Sequence, residues 1–431
     1  MIRISMMKQF IQKKLEKYVV KYFKKHPEVK VVVVAGSVGK TSTKQAIATL
    51  LSRRYRVALQ KGNHNTHLSA PCAILGIEYP DNIRSLGAWL SVFAAARKRI
   101  KEPTGVDVII AELGSDHPGD MATFGRYLKP HIAVVTAVTP EHMEFFHTLE
   151  AVAEEELAAA NMAELAIINR DDIDGRFANF LTNPNLTTYG TTAAAEYRFE
   201  QQDFTLEDGY KGQVIAAGYA ESFTATIKLV GEHSIRPALG AVAVAVKLGL
   251  TPEEIKAGRA LLRPVPGRMN LLRGIDGTII IDDSYNSSPV AASSALQTLY
   301  GLQAPQRIAI VGMMNELGDS SADEHTKLGA LCDPSLLSWV ITVGEDAEKY
   351  LAPAARARGC QVKSFKSAIE AGGFARSVTE PGAVILVKGS QGGVYLEEAI
   401  KVLCVMSEED ELVRQSPGWL KTKEAFFQSL S

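Results

Sequence analysis

The sequence predicts an α/β protein made of two successive domains, each built on a mainly parallel sheet. Three observations carry that reading. From Val31 onward, short runs rich in Val and Ile alternate with longer helical patterns, which is the signature of βαβ units. The alternation breaks at Arg263-Pro264-Val265-Pro266-Gly267, where two prolines and a glycine end a helical pattern, and then resumes. A chain of 431 residues is also long enough for two or three cores.

Composition narrows the function classes. The chain carries 47 basic and 48 acidic residues, so no overall field favours nucleic acid. No run of 18 or more apolar residues occurs, and the start lacks the pattern of a signal peptide, so neither a spanning helix nor a leader is expected. Cys72, Cys332, Cys360 and Cys404 are scattered without a Cys-x-x-Cys pair. That argues against a zinc ribbon and a disulfide framework, and for a reducing cytoplasm.

Residues 1–28 read as a helix with eight Lys/Arg, in which Phe10, Ile11, Leu15, Val19 and Phe23 recur at roughly helical spacing. Such a helix can contact an anionic membrane surface peripherally. Packing as a lead-in helix on the next domain is the favoured reading. Strands are then expected at Val31–Ala35, Val57–Gln60, Val106–Glu112, Ile132–Thr136 and Leu165–Asn169. Tyr197–Val230 alternates apolar and polar residues and is expected to be antiparallel, with helices at His233–Leu248 and Pro252–Leu262. The first α/β domain is placed at 29–266 and the second, Rossmann-like one at 267–431. The second has strands at Thr278–Asp282, Arg307–Val311, Trp339–Val343, Val362–Phe365 and Ala383–Lys388.

Function is carried first by Val31–Thr43. Four valines feed a turn bracketed by Gly36 and Gly39, and Lys40, Thr41 and Ser42 follow as a helix (Lys44–Ser52) begins. A strand, a glycine turn (Gly36-Ser37-Val38-Gly39) and a helix N-terminus together aim backbone N–H groups and a positive dipole end at one point, the arrangement that cradles a polyphosphate. Lys40 would reach the β/γ-phosphates of ATP and the Thr41 hydroxyl would take Mg²⁺. The spacing Gly-x-x-Gly-Lys-Thr is two residues shorter than the full motif, because Val34 stands where its first glycine would be. Glu112, closing its strand, could bind Mg²⁺ beside Thr41. His142 lies just past another strand end, where ligands gather in such sheets.

In this order, the motifs resemble those of the Mur ligases, the amide-forming enzymes of peptidoglycan precursor synthesis. The matching elements include Gly36–Thr43, Gly62-Asn63-His64-Asn65, Glu112-Leu113-Gly114, His142, Asn169 with Asp171-Asp172, and Gly231-Glu232-His233. Beyond the boundary come Pro266-Gly267-Arg268-Met269, Asp282-Asp283-Ser284-Tyr285-Asn286, Asn315-Glu316-Leu317-Gly318 with His325, and Lys388-Gly389-Ser390. The Asp-Asp-Ser-Tyr-Asn and Glu-Leu-Gly elements look most like the member that adds D-Ala-D-Ala to a UDP-MurNAc-tripeptide. The resemblance implies a cytoplasmic ligase, expected to act as a monomer, that uses ATP and Mg²⁺. Its substrates would be a small nucleotide-peptide and D-Ala-D-Ala or a similar amine, without nucleic acid.

Residue by residue, the resemblance implies Lys40 and Thr41 for phosphate and Mg²⁺, Glu112 for Mg²⁺, and His142 for a second Mg²⁺. Arg268 is implied for the γ-phosphate and Asp283 for the ribose. Asn63 and Asn65, with Tyr285 and Asn286, would face the substrate. Four departures accompany it. Many members carry a carbamylated lysine fourteen residues after the histidine; counting from His142 reaches Glu156, a carboxylate that could serve as the metal ligand without CO₂. The adenine-contacting asparagine is replaced by Pro237, leaving Asn169 or His233 to contact the base. Asn65-Thr66-His67-Leu68-Ser69 stands where the family tends to have Asn-Asn-Glu-Ile-Gly. Finally, about 30 residues precede the loop, where the family has a UDP-binding domain of about a hundred. The acceptor is therefore open to folate-, cyanophycin- or pseudomurein-like alternatives, and a non-catalytic ATP-binding subunit is the rival from another class.

Overall fold

The computed structural model describes residues 2–60, 65–80, 82–407 and 410–430. Its first sheet is built from β1 (Lys30–Ala35), β2 (Val57–Leu59), β3 (Val108–Glu112), β4 (Ile132–Val135), β5 (Leu165–Asn169), β6 (Leu186–Gly190), β7 (Tyr197–Thr205), β8 (Gly209–Ala216) and β9 (Phe223–Ile227), in the order β2-β3-β1-β4-β5-β6-β7-β8-β9. Pairing is parallel from β2 to β7 and antiparallel across β7-β8-β9. Lys-Val-Val-Val-Val-Ala makes a good central strand because both of its faces are covered. Val32 and Val34 pack with Ile47, Leu50 and Leu51 of α2 (Lys40–Leu51) and with helix Ile235–Lys247. Val31, Val33 and Ala35 face the opposite layer.

That opposite layer contains α1 (Ile2–Lys25), α3 (Ser69–Leu75) and α4 (Leu86–Lys101), and α1 packs on both of the others. Ile11, Leu15, Tyr18, Val19 and Tyr22 are buried there, with Arg97 Nε donating to Tyr18 Oη at 3.1 Å. The apolar row of α1 is thus spent on packing, except that Phe10, expected within it, is 61% exposed. Among the described residues no helix is long and apolar enough to cross a membrane.

The second sheet comprises β10 (Asn270–Arg273), β11 (Ile279–Asp283), β12 (Arg307–Gly312), β13 (Trp339–Val343), β14 (Val362–Phe365) and β15 (Val384–Lys388), ordered β10-β11-β15-β12-β13-β14. It is parallel but for the β10 edge.

Three features depart from the sequence expectation. Helix α2 begins at Lys40 rather than Lys44, because Gly39 at φ +84° turns the chain straight into the helix. Strand β6 was not anticipated: Leu-Thr-Thr-Tyr-Gly has few apolar residues, yet Thr187 and Tyr189 are buried beside β5. Strand β10 was missed for its shortness, two leucines between polar ends.

Candidate active site

Strand β1 delivers the chain to Gly36 at φ +119°, where a Cβ would lie 2.3 Å from Thr136 Oγ1 and 2.8 Å from the Ala137 amide. Only glycine fits that approach. The following loop is stapled to the end of β4. Ser37 N donates to Ala137 O at 3.0 Å, Thr139 N to Ser37 Oγ at 2.9 Å, and Thr136 Oγ1 to Val38 O at 2.6 Å. From below, Glu156 Oε2 accepts the Gly36 N–H at 2.6 Å. Burial pushes that carboxyl up to about 7 against the pull of Lys40.

Lys40 holds its ammonium against the carbonyls of Gly36 and Ser37, at 2.5 and 3.1 Å, and 3.7 Å from Glu141 Oε2. Burial alone would lower its pKa. The carboxylates of Glu141, Glu156 and Glu112 outweigh burial and hold it above the ordinary lysine value, so the charge persists.

The next residue, Thr41, donates its Oγ1–H to Glu112 Oε2 at 3.1 Å, and the fully buried Lys44, one turn on, pairs with the same oxygen at 3.1 Å. Gln60 Oε1 accepts the Glu112 amide at 2.6 Å and fixes the strand end. Among the described residues no group of three or more His, Cys, Asp and Glu could hold a metal on its own. The Thr41–Glu112 oxygen pair fits Mg²⁺, which takes one or two protein oxygens and completes its shell with phosphates and water. His142 lies apart from that pair, at φ +49°, among Glu316 (3.1 Å), Asp116 (3.5 Å) and Glu141 (3.8 Å). Burial lowers its pKa, but the Glu316 contact and the neighbouring carboxylates raise it overall.

Both sheets wall a cavity of about 690 Å³. Ser37–Ser42, Asn65, Glu112, His142, Asn169 and His233 line it from the first, and Arg268, Asp283, Tyr285 and Asn286 from the second. Gly36 and Glu156 sit behind the wall, and Asn63 lies outside the described residues. Arg268 crosses between the sheets: its guanidinium stacks on the Tyr285 ring at 4.4 Å and places Nη2 3.4 Å from Thr41 Oγ1. Its buried Nε has no partner among the described residues.

The proposed base and ribose contacts look different in three dimensions. Asn169 Nδ2 donates to Thr136 O and Asp172 Oδ2, both at 2.7 Å, and its Oδ1 accepts the Asp171 amide, so this side chain ties strand ends together. Burial pushes His233 down to about 4, leaving its ring neutral. Asp283 accepts from Met269 N at 3.2 Å and pairs with the buried Lys388 at 2.8 Å.

Several cavity residues escaped the sequence reading: Glu141, Glu316, Arg236, Tyr395 and Trp419, with Lys44 just behind Glu112. Arg236 joins Asp171 and Asp172 at 3.1 and 3.0 Å. Glu316 and Lys388 lie inside motifs that match the family, but their partners are distant in sequence.

Residues 34–245 match the family described as the Mur ligase middle domain, and residues 267–391 match the Mur ligase glutamate ligase domain. The chain belongs to the Mur ligase family. The Bacillus subtilis UDP-N-acetylmuramoyl-tripeptide–D-alanyl-D-alanine ligase is 27% identical over 387 residues, covering 87% of this chain and 76% of that Mur ligase. The Escherichia coli enzyme of the same name is 27% identical over 333 residues, 74% of this chain and 65% of the relative. In fold, the crystal structure of MurF ligase from Thermotoga maritima in complex with ADP superposes with a TM-score of 0.71. It has 22% identity and spans 90% of this chain and 84% of that one.

Proposed function

We propose that this Mur ligase is an ATP-dependent amide ligase that adds D-Ala-D-Ala to a UDP-MurNAc-tripeptide-like acceptor. The observation that carries this is the meeting of Arg268 with Thr41 across the two sheets, because it brings a second cation to the phosphate loop. In the proposed chemistry an acceptor carboxylate oxygen attacks the γ-phosphorus and ADP leaves. The amine then attacks the acyl phosphate carbonyl, loses a proton, and phosphate departs. Lys40 and Arg268 would neutralise the anions drawn together in the first step, in the cavity between the two sheets. Thr41 and Glu112 would hold Mg²⁺, with His142, and Glu156 once it turns from the Gly36 amide, toward a second position; when bound, the ion supplies charge neutralisation at the phosphates.

The test is ADP release with Mg-ATP, UDP-MurNAc-tripeptide and D-Ala-D-Ala, omitting each in turn. Release should need all three and be matched by the mass of the joined product. ATP binding without turnover on this pair, but with turnover on another acid and amine, would move the acceptor elsewhere in the family.

Glu156 is proposed to stand in for a carbamylated lysine, supported by its burial beside Lys40 and the phosphate loop. Turnover should then be the same in CO₂-depleted and bicarbonate-supplemented buffer. Glu156→Gln should raise the Mg²⁺ concentration for half-maximal rate by about tenfold, which corresponds to about 1.4 kcal/mol of Mg²⁺ affinity. An unchanged Mg²⁺ requirement would leave Glu156 as an anchor of the Gly36 amide alone.

A further inference from the structure

The C-terminal segment beyond the matched family region places one arginine where the chemistry of the cavity does not obviously need it. Arg414 is 8% exposed, at φ +56°, behind the cavity wall. Its Nε and Nη2 donate to the two oxygens of the fully buried Glu397, at 2.9 and 2.6 Å. The remaining donors turn to the backbone: Nη2 to Ser284 O at 2.7 Å and Nη1 to Tyr285 O at 3.0 Å. The buried Lys423, from helix Pro417–Ser429, supports the same carboxylate at 3.3 Å.

A buried ion pair of this kind is costly to desolvate and gives little net stability over an apolar replacement. What it offers is a fixed fork of donors, here aimed at two consecutive carbonyls. Those carbonyls belong to the turn that carries Tyr285. The turn is held from the other side as well: Tyr285 N donates to Gly267 O at 3.0 Å, and Gly267 is so closely covered that a Cβ there would lie 2.8 Å from Val413 Cγ1 and 3.1 Å from Tyr285 Cβ. Tyr285 in turn is the platform for the Arg268 guanidinium, and Arg414 stands 5.9 Å from the same ring.

We propose that Arg414 is a positioning residue: by clamping the Ser284–Tyr285 carbonyls to Glu397 it sets the Tyr285 ring, and through it aims Arg268 at the terminal phosphate of the nucleotide. This rests on the nucleotide reading of the cavity, and extends the working site to a segment outside residues 267–391.

The test uses the full chain and two variants. Arg414→Ala leaves Glu397 with Lys423 alone and can unfold part of the domain, so Arg414→Gln/Glu397→Gln, which removes both charges, accompanies it. Calorimetric binding of Mg-ATP and Mg-ADP is the first readout, since it needs no acceptor. Both variants should bind Mg-ADP within about twofold of wild type while losing most of the preference for Mg-ATP. The second readout is turnover, where kcat should fall by about 30-fold or more and KM for ATP should rise in step with the lost ATP preference, with partial recovery of Arg414→Ala on adding methylguanidine. A folded double variant with unchanged ATP preference and kcat would overturn the proposal, as would losses that only track a lowered Tm. If wild-type protein prefers ATP but does not turn over with the tripeptide and dipeptide, the acceptor reading fails, and the clamp is judged on the nucleotide preference alone.

Discussion

Replacing Lys40 by alanine should lower kcat for ADP release by about 10³-fold, the upper end of what one preorganised group contributes at a developing charge. The lysine is the cation of the phosphate loop, and three carboxylates keep it ionised in spite of its burial. A raised lysine pKa means that the charged form is favoured by folding. The corresponding stability is fully present below 10.5 and is lost as pH rises through the folded value above it. Throughout any working range the ammonium is therefore intact, and the pH–rate profile should show no break from this group. Removing it strips a charge from the phosphates and leaves Glu141, Glu156 and Glu112 repelling one another, so Mg-ATP affinity should fall too. Lys40→Arg should not recover activity, because the fork of a guanidinium does not fit the space between the Gly36 and Ser37 carbonyls that a compact ammonium fills. Steady-state ADP release with parallel calorimetry of nucleotide binding checks this. A kcat within tenfold of wild type would remove Lys40 from the chemistry.

Most of this architecture is written in local patterns. Val31–Ala35 and Leu165–Asn169 could be placed to within a residue because buried parallel strands are continuous β-branched runs. Leu186–Gly190 carries no such run, and its strand character comes from pairing with β5 and burial of Tyr189. The glycine turn and the helix start behind it were legible for the same local reason: two glycines and Lys-Thr lie within six residues. What no local pattern holds is the set of contacts between distant segments. Glu156 was reached by counting, but its bond to the Gly36 amide spans 120 positions. Glu316 lies in the Asn315-Glu316-Leu317-Gly318 motif, yet its left-handed backbone and its contact with His142 depend on how the second sheet docks. Asn169 has the right chemistry to read a base; only the structure spends its amide on Thr136 and Asp172.

Arg268→Ala should lower kcat by about 10²- to 10³-fold while Mg-ADP affinity changes by less than about fivefold. The split follows from where the two halves of the site come from. The loop, Lys40 and Thr41 belong to the first sheet and would bind nucleotide by themselves on the proposed reading, whereas Arg268 arrives from a segment 227 positions away and meets Thr41 Oγ1. On the proposed reading its donors would face the end of the phosphate chain, where negative charge grows during transfer, and its buried Nε has no acceptor among the described residues to hold it there. Stacking on Tyr285 is what holds the group in place. Arg268→Lys should thus remain impaired, since an ammonium neither stacks as a plane nor offers parallel donors. Tyr285→Phe should keep most of the rate and Tyr285→Leu should lose about tenfold, because the face of the ring and not its hydroxyl orients the guanidinium. Equal losses in ADP and ATP affinity for Arg268→Ala, with kcat untouched, would instead make it a simple nucleotide contact, and the two sheets would not need to meet for phosphate transfer.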